Sequence, residues 1–259
     1  MGPAAKADVL DNAVWHALRT RQAHFAESDS TGRVVRFDRD VAIFGAVDQI
    51  DPESWEAQAE LAGPEGYTMF FRDEVPAPPP GWEEVFRGPT WQMVAGDLSP
   101  VPDVSPVPLG PEDAMQMVAL AELTQPGPFF PRTHEMGTYV GVKREGRIIA
   151  MAGERLKVPG WTEISAVCTH PDAQRQGLGA ALTLWMARSI RQAGDEAFLH
   201  VLEHNDNALR LYRALGFEIR RKVQAVIMKR LPEDERPRAG IEPRNALHDD
   251  AEPEEGADE

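Results

Sequence analysis

Residues 161–194 constrain this chain more than any other stretch. The β-rich run "TEISAVCT" leads into the polar, glycine-spaced loop "HPDAQRQGLGAAL", and an Ala/Leu-rich helix follows, running from about Gly179 to Ala193 with Gly194 as its terminator. A strand that turns through Pro171, Asp172, Gly177 and Gly179 straight into a long helix has two readings. One is simple turn chemistry ahead of a helix start. The other is an anion cradle, because glycines let the backbone approach a ligand and the helix offers unpaired N–H groups and the positive end of its dipole. Arg175 adds a cation at the mouth.

The flanking segments set the fold class. "PEDAMQMVALAELT" reads as a helix entered through Pro111, with Met115, Val118 and Leu123 on its apolar face. "GTYVGVKREGRIIAMAGERL" reads as a hairpin turning at Arg144–Gly146. "EAFLHVLE" is a strand, and "NDNALRLYRALG" is a helix with Asn205 as N-cap and Gly216 beyond its end. "FEIRRKVQAVIMKR" is expected to supply a final pair of strands. The order describes an α/β (α+β type) fold, with a mixed, mostly antiparallel sheet and flanking helices.

Upstream, "NAVWHALRTRQAHF" has helical spacing through Val14, Leu18 and Phe25. "VAIFGAV" and "YTMFFRD" read as short strands, and "WEEVFRG" and "WQMVAG" as two more. Prolines at 100, 102, 106, 108 and 111 mark an extended linker. The expected division is an N-terminal lobe over 1–98, the linker at 99–111, a domain at 112–231, and an acidic, disordered tail at 232–259.

Charge follows the same division. Residues 1–109 carry a net −10, residues 110–231 a net +3, and residues 232–259 a net −8. The acidity argues against a nucleic-acid partner, while the mildly basic middle suits a small polyanion. One cysteine, Cys168, allows no intrachain disulfide and fits a reducing compartment. Neither a secretory leader nor an apolar run of about 18 residues is visible, so a cytoplasmic protein without a membrane partner is expected.

Other nucleotide motifs do not fit the loop. A Walker loop would end in Gly-Lys-Ser/Thr, and this one ends in Gly-Leu-Gly; a dinucleotide fingerprint needs three spaced glycines. Gln174-Arg175-Gln176-Gly177-Leu178-Gly179 does resemble the Gln/Arg-x-x-Gly-x-Gly/Ala signature of the GNAT superfamily of acetyl-CoA-dependent N-acetyltransferases. About thirty residues on, "NDNALRLYRALGF" resembles that family's second conserved stretch. The resemblance covers residues 110–231. The lobe before it is either a degenerate copy of the same fold or an unrelated accessory domain.

The resemblance implies a role for each matching position. Backbone groups of Val167, Cys168 and Thr169 would hold the pantetheine arm of acetyl-CoA, and the N–H groups of Gln174, Arg175, Gln176, Gly177, Leu178, Gly179 and Ala180 its pyrophosphate. Asn205 would touch the arm near the thioester, and Tyr212 would donate a proton to the departing thiolate. Glu163 matches a position where several members carry a general base, a role that would need a raised pKa. Phe129, Phe130 and Arg132 would contact the acceptor; Arg132 would pair with a carboxylate, whereas Glu135 would prefer a cationic amine.

The implied activity is direct transfer of an acetyl group to a primary amine of a small molecule or peptide, without a metal, by a monomer or homodimer. The alternative is a catalytically silent acetyl-CoA sensor. Several residues have plainer roles. Cys168 suits packing, His170 a loop cap, and Trp161 and Trp185 the core; neither His16 with His24 nor His200 with His204 has metal-ligand spacing on a helix.

Overall fold

The structure is a computed structural model that describes residues 9–100, 102 and 104–235. Most of the expected acidic tail, residues 236–259, therefore lies outside the described residues. The helices are α1 (Ala13–Arg19), α2 (Pro52–Ala62), α3 (Ala114–Thr124), α4 (Leu178–Gln192) and α5 (Asp206–Ala214). The strands are β1 (Ala26–Ser28), β2 (Val34–Phe37), β3 (Gly45–Val47), β4 (Tyr67–Arg72), β5 (Trp82–Ala95), β6 (Val107–Leu109), β7 (Tyr139–Arg144), β8 (Arg147–Val158), β9 (Trp161–Thr169), β10 (Glu196–Leu202) and β11 (Phe217–Arg230).

A small antiparallel sheet holds β1, β2 and β3. An eight-stranded sheet runs β4-β11-β5-β10-β9-β8-β7-β6, and β9 with β10 is its parallel pair. α4 crosses over between those two strands, which is the connection a parallel pair requires. Two strands that precede the proline-rich segment, β4 and β5, belong to this large sheet. β5 lies between β10 and β11, pairing antiparallel with both. The segment at 99–111 thus joins two parts of one sheet. One apolar cluster likewise unites Val14, Leu18, Phe37 and Phe44 with Leu156, Phe198 and Val223.

Three local expectations are corrected. "WEEVFRG" and "WQMVAG" form the single strand β5. "FEIRRKVQAVIMKR" is likewise one strand, because register shifts at Ile219/Arg221 and Ile227/Met228 take up twist that would otherwise part a long pair. On α3 the buried face is Met117, Leu120 and Ala121, while Met115 is 75 % and Leu123 53 % exposed. A 3₁₀ turn at Pro111–Asp113 precedes the α-helix proper, and the i, i+3, i+4 set that meets β8 and β9 starts at Met117. The hairpin is as expected, with Glu145 and Gly146 both at positive φ, as a two-residue type I′ turn demands.

Candidate active site

Strands β9 and β10 begin as neighbours and then part. Their ladder consists of Glu196↔Trp161, Ala197↔Thr162 and Phe198↔Glu163. Just beyond, Ala166 takes φ +52°, and the register between β8 and β9 slips between Met151/Cys168 and Gly153/Ser165. This bulge bends β9 away from β10. A left-handed φ costs an alanine about 1–2 kcal/mol, so the rest of the sheet must hold it there. The result is a wedge between the two strands in the middle of a sheet.

The wedge opens onto a cavity of about 650 Å³. Ile164–Val167 line it from β9, and His200, Val201 and Leu202 from β10. Met69, Phe71, Phe86 and Thr90 come from the strands before the linker, and Phe129 and Phe130 from the segment after α3. A mostly apolar cleft of this size with few polar groups is the usual form of a small-molecule site.

At the far end of β9, His170 Nδ1 accepts from the Asp172 N–H, the capping role expected of it. The chain then passes Arg175 (φ +60°) and Gly177 (φ +76°) into α4. Gly177 is the N-cap residue, and no side chain caps the first turn. The first bond of the helix is Ala181 N–H to Gly177 O, so the N–H groups of Leu178, Gly179 and Ala180 stay open. A Cβ at Gly177 would meet nothing within 4 Å, so only its positive φ calls for glycine. One at Gly179 would lie 3.7 Å from Val167 Cγ1, which places the loop against the splayed strand. Uncapped N–H groups at the start of a 15-residue helix beside a strand wedge fit the pyrophosphate and arm of acetyl-CoA. Gln176 also reaches sideways, accepting from Arg144 Nη2 at 3.1 Å.

Helix α5 supplies the polar groups of the wedge. Asn205 Oδ1 accepts the Ala208 N–H at 3.1 Å, capping the helix, and the residue lines the cavity. Tyr212 lines the same cavity, its ring set edge-on to Phe217 at 6.0 Å. Burial, with the nearby Cys168, pushes the Tyr212 phenol up to about 12, so it is protonated at neutral pH. Cys168 is buried among α3 residues, and its thiol is pushed up to about 11 by that burial despite hydrogen bonds from Thr124 and Met151. It is a packing thiol, as its strand position indicated.

Glu163 corrects an expectation. Its side chain is fully buried and does not line the cavity. Arg155 grips it with Nε–Oε2 at 2.8 Å and Nη2–Oε1 at 2.6 Å, and His200 Nδ1 lies 2.6 Å from Oε1. Burial alone would raise this carboxyl, but the charge and hydrogen bonds of Arg155, with His200, hold it down at about 2. A carboxylate with both oxygens taken and a depressed pKa is no general base.

His200 is similarly engaged. Gln92 Oε1 accepts from Arg220 and its Nε2 donates to Leu10 O, so Nε2 is the atom facing His200 Nε2 at 3.2 Å. Both ring nitrogens are therefore engaged, Nδ1 with Glu163 and Nε2 with Gln92. Its ring stacks on Phe71 at 4.4 Å, and Arg155 sits over Phe44 and Phe71.

Of the three expected acceptor contacts, Phe129 and Phe130 line the cavity and Arg132 does not. Arg132 pairs with Glu135 through two bonds of 2.9 Å and with Asp38 at 2.6 Å, and Thr133 Oγ1 donates to Val41 O. These bonds pin the segment to the loop before β3, and Glu135, like Arg132, does not line the cavity. Among the described residues that line the cavity, the arginine is Arg155. Sequence spacing could not single it out, because its strand is buried at nearly every position and shows no alternation.

Comparison with known proteins agrees with this arrangement. Residues 139–226 match the model of the FR47-like protein family. A crystal structure of a protein from Novosphingobium aromaticivorans assigned to the GNAT family of acetyltransferases is 34 % identical, with a TM-score of 0.77, covering 85 % of this chain and 98 % of that one. Mycothiol acetyltransferase of Saccharomonospora viridis is 47 % identical over 57 residues, and that of Thermomonospora curvata 40 % over 76. Those stretches are 22 % and 29 % of this chain, and they span only 19 % and 26 % of the two curated relatives. With its splayed strands, its uncapped glycine loop, and a relative that matches along nearly its whole length, this chain belongs to the GNAT family of acetyltransferases.

Proposed function

We propose that the chain transfers an acetyl group from acetyl-CoA directly to a primary amine of a small molecule or a peptide. The observation that carries this reading is the wedge at Ala166, which opens into one cavity that Tyr212 and Asn205 also line. Acetyl-CoA would supply the activated thioester, and everything else falls to the residues of this chain. The N–H groups of Leu178–Ala180 bind the pyrophosphate, and the freed edge of β9 at Val167–Thr169 binds the arm. A backbone N–H at the bulge polarises the acyl carbonyl.

Tyr212 keeps its proton. Its phenol, raised to about 12 by burial, is a weaker acid than an ordinary thiol at ~8.5. Its contribution is a hydrogen bond to the charge that develops on the departing sulfur. With Glu163 locked and both His200 nitrogens engaged, the acceptor amine loses its proton to water in the cavity.

The test is amine-dependent thiol release from acetyl-CoA across a panel of primary amines, alongside calorimetric binding of acetyl-CoA. Release with at least one amine is expected. Tight binding with no release for any amine would replace this reading with the silent sensor.

A further inference from the structure

We propose that the acceptor carries a carboxylate beside its amine, and that Arg155 and Tyr139 bind this carboxylate in a recess beneath Phe129. The inference rests on the acetyl-transfer reading and names the substrate class of that same site: free α-amino acids.

The recess has room for about one water-sized group, roughly 10 Å³, and Phe129, Thr133, Tyr139, Arg155, Ser165 and Ala166 help to line it. Phe129, Arg155, Ser165 and Ala166 also line the main cavity, so the recess is its inner corner. The Tyr139 hydroxyl is buried there without a hydrogen-bond partner. Orphaned buried hydroxyls are uncommon in folded proteins, and the ring that carries this one is closely packed. Gly153 lies opposite Tyr139 in the β7–β8 ladder, and a Cβ there would stand 2.2 Å from the ring.

Arg155 provides the charge. Glu163 occupies its Nε and Nη2, and among the described residues Nη1 donates to none. Thr133 is already satisfied, accepting from the Phe130 N–H and donating to Val41 O. Seen from the cavity, the recess therefore offers donors: a guanidinium edge, a phenol, and the Ser165 hydroxyl. Two acids act on Tyr139: Glu163 lies behind the guanidinium with both oxygens taken, and Glu154 is paired with Lys157 at 2.7 Å and accepts the Thr138 N–H at 2.9 Å. A carboxylate oxygen is the group such a corner selects, and a charge-assisted bond to Arg155 makes it the stronger ligand over a neutral carbonyl.

The two places adjoin. Ser165 and Ala166 form a wall of the recess, and the bulge at Ala166–Val167 is where an amine must meet the acyl group. An oxygen in the first place and a nitrogen at the second suit a short N–C–C–O unit. Met69, Phe71 and Phe86 across the cavity suit an apolar side chain on that unit.

The experiment compares leucine and phenylalanine with leucinamide and phenylalaninamide as acceptors, in the wild type, Tyr139→Phe and Arg155→Lys. Counted per neutral amine, the acids are expected to exceed the amides by about 30-fold or more in kcat/KM, chiefly through KM, because a site built to hydrogen-bond a group discriminates strongly against its loss. Tyr139→Phe should cut that ratio about 5-fold with acetyl-CoA affinity and melting temperature unchanged, and Arg155→Lys should remove most of it. A purely structural Tyr139 would leave the ratio untouched, and that result overturns the proposal. Equal turnover of acids and amides also overturns it, while leaving acetyl transfer intact. If no amine turns over, calorimetry of leucine against the protein–CoA complex decides: binding that weakens in Tyr139→Phe supports the recess, and no binding overturns it.

Discussion

Glu163 shows how one buried contact can reassign a residue. From its strand position it reads as a base; with the Arg155 guanidinium clamped on it, it becomes a structural anion. Its pKa falls from an ordinary 4.5 to about 2 in the fold, so its contribution to stability is complete above about pH 4.5 and is lost as pH falls towards 2. Glu163→Gln leaves Arg155 buried without its counter-charge and should cost about 3–5 kcal/mol at pH 7. The difference in melting temperature between variant and wild type should shrink steadily below pH 4.5; a difference that stayed constant to pH 2.5 would contradict the ion pair.

The same assignment has a kinetic consequence. With no protein base titrating, the rising limb of kcat/KM should follow the acceptor's own amine pKa and move when acceptors of different basicity are compared. A fixed inflection near pH 6–7 for every acceptor would contradict it. Tyr212→Phe should lower kcat by about 10²-fold with little change in acetyl-CoA affinity, as measured by steady-state kinetics and calorimetry. Neither Arg155 nor His200 was legible as a cavity residue from sequence, because the partners that define them, Phe71 and Gln92, lie 84 and 108 positions away from Arg155 and His200 respectively.

At the scale of elements, the loop into α4 was the most legible part of the chain. Its glycines, its missing side-chain cap and its place after a β-rich run are local properties, and local properties survive folding. Gly177→Asp puts a carboxylate at the mouth of three open N–H groups. It should weaken acetyl-CoA binding by at least about 10-fold, an effect relieved by raised salt, while the φ penalty costs only ~1 kcal/mol in stability. Calorimetry at two ionic strengths checks both parts; unchanged affinity would remove the loop from the phosphate site. The buried face of α3 departs from its sequence pattern for a related reason. Met115 and Leu123 satisfy a helical spacing, but the contact with β8 and β9 selects Met117, Leu120 and Ala121. Spacing alone cannot rank two overlapping apolar faces.

At the scale of the molecule, the strands before the proline-rich segment complete the sheet that holds the wedge. β5 is paired with β11 from Trp82 to Ala95 and with β10 over Thr90–Val94, and both pairings join residues far apart in sequence. Composition could show the linker and could not show that a strand crosses back beside β10, because strand neighbours are set by tertiary pairing. A protease site introduced at residues 104–106 should therefore yield two fragments that co-elute in size-exclusion chromatography and separate only in denaturant. Fragments that part in native buffer would contradict the shared sheet.

The most direct test of the whole arrangement is a crystal structure with acetyl-CoA bound. Its pyrophosphate should lie on the N–H groups of Leu178–Ala180, its arm between β9 and β10, and its thioester sulfur within hydrogen-bond reach of the Tyr212 hydroxyl. Well-ordered acetyl-CoA elsewhere on the protein, with the wedge at Ala166 empty, would contradict the site described above.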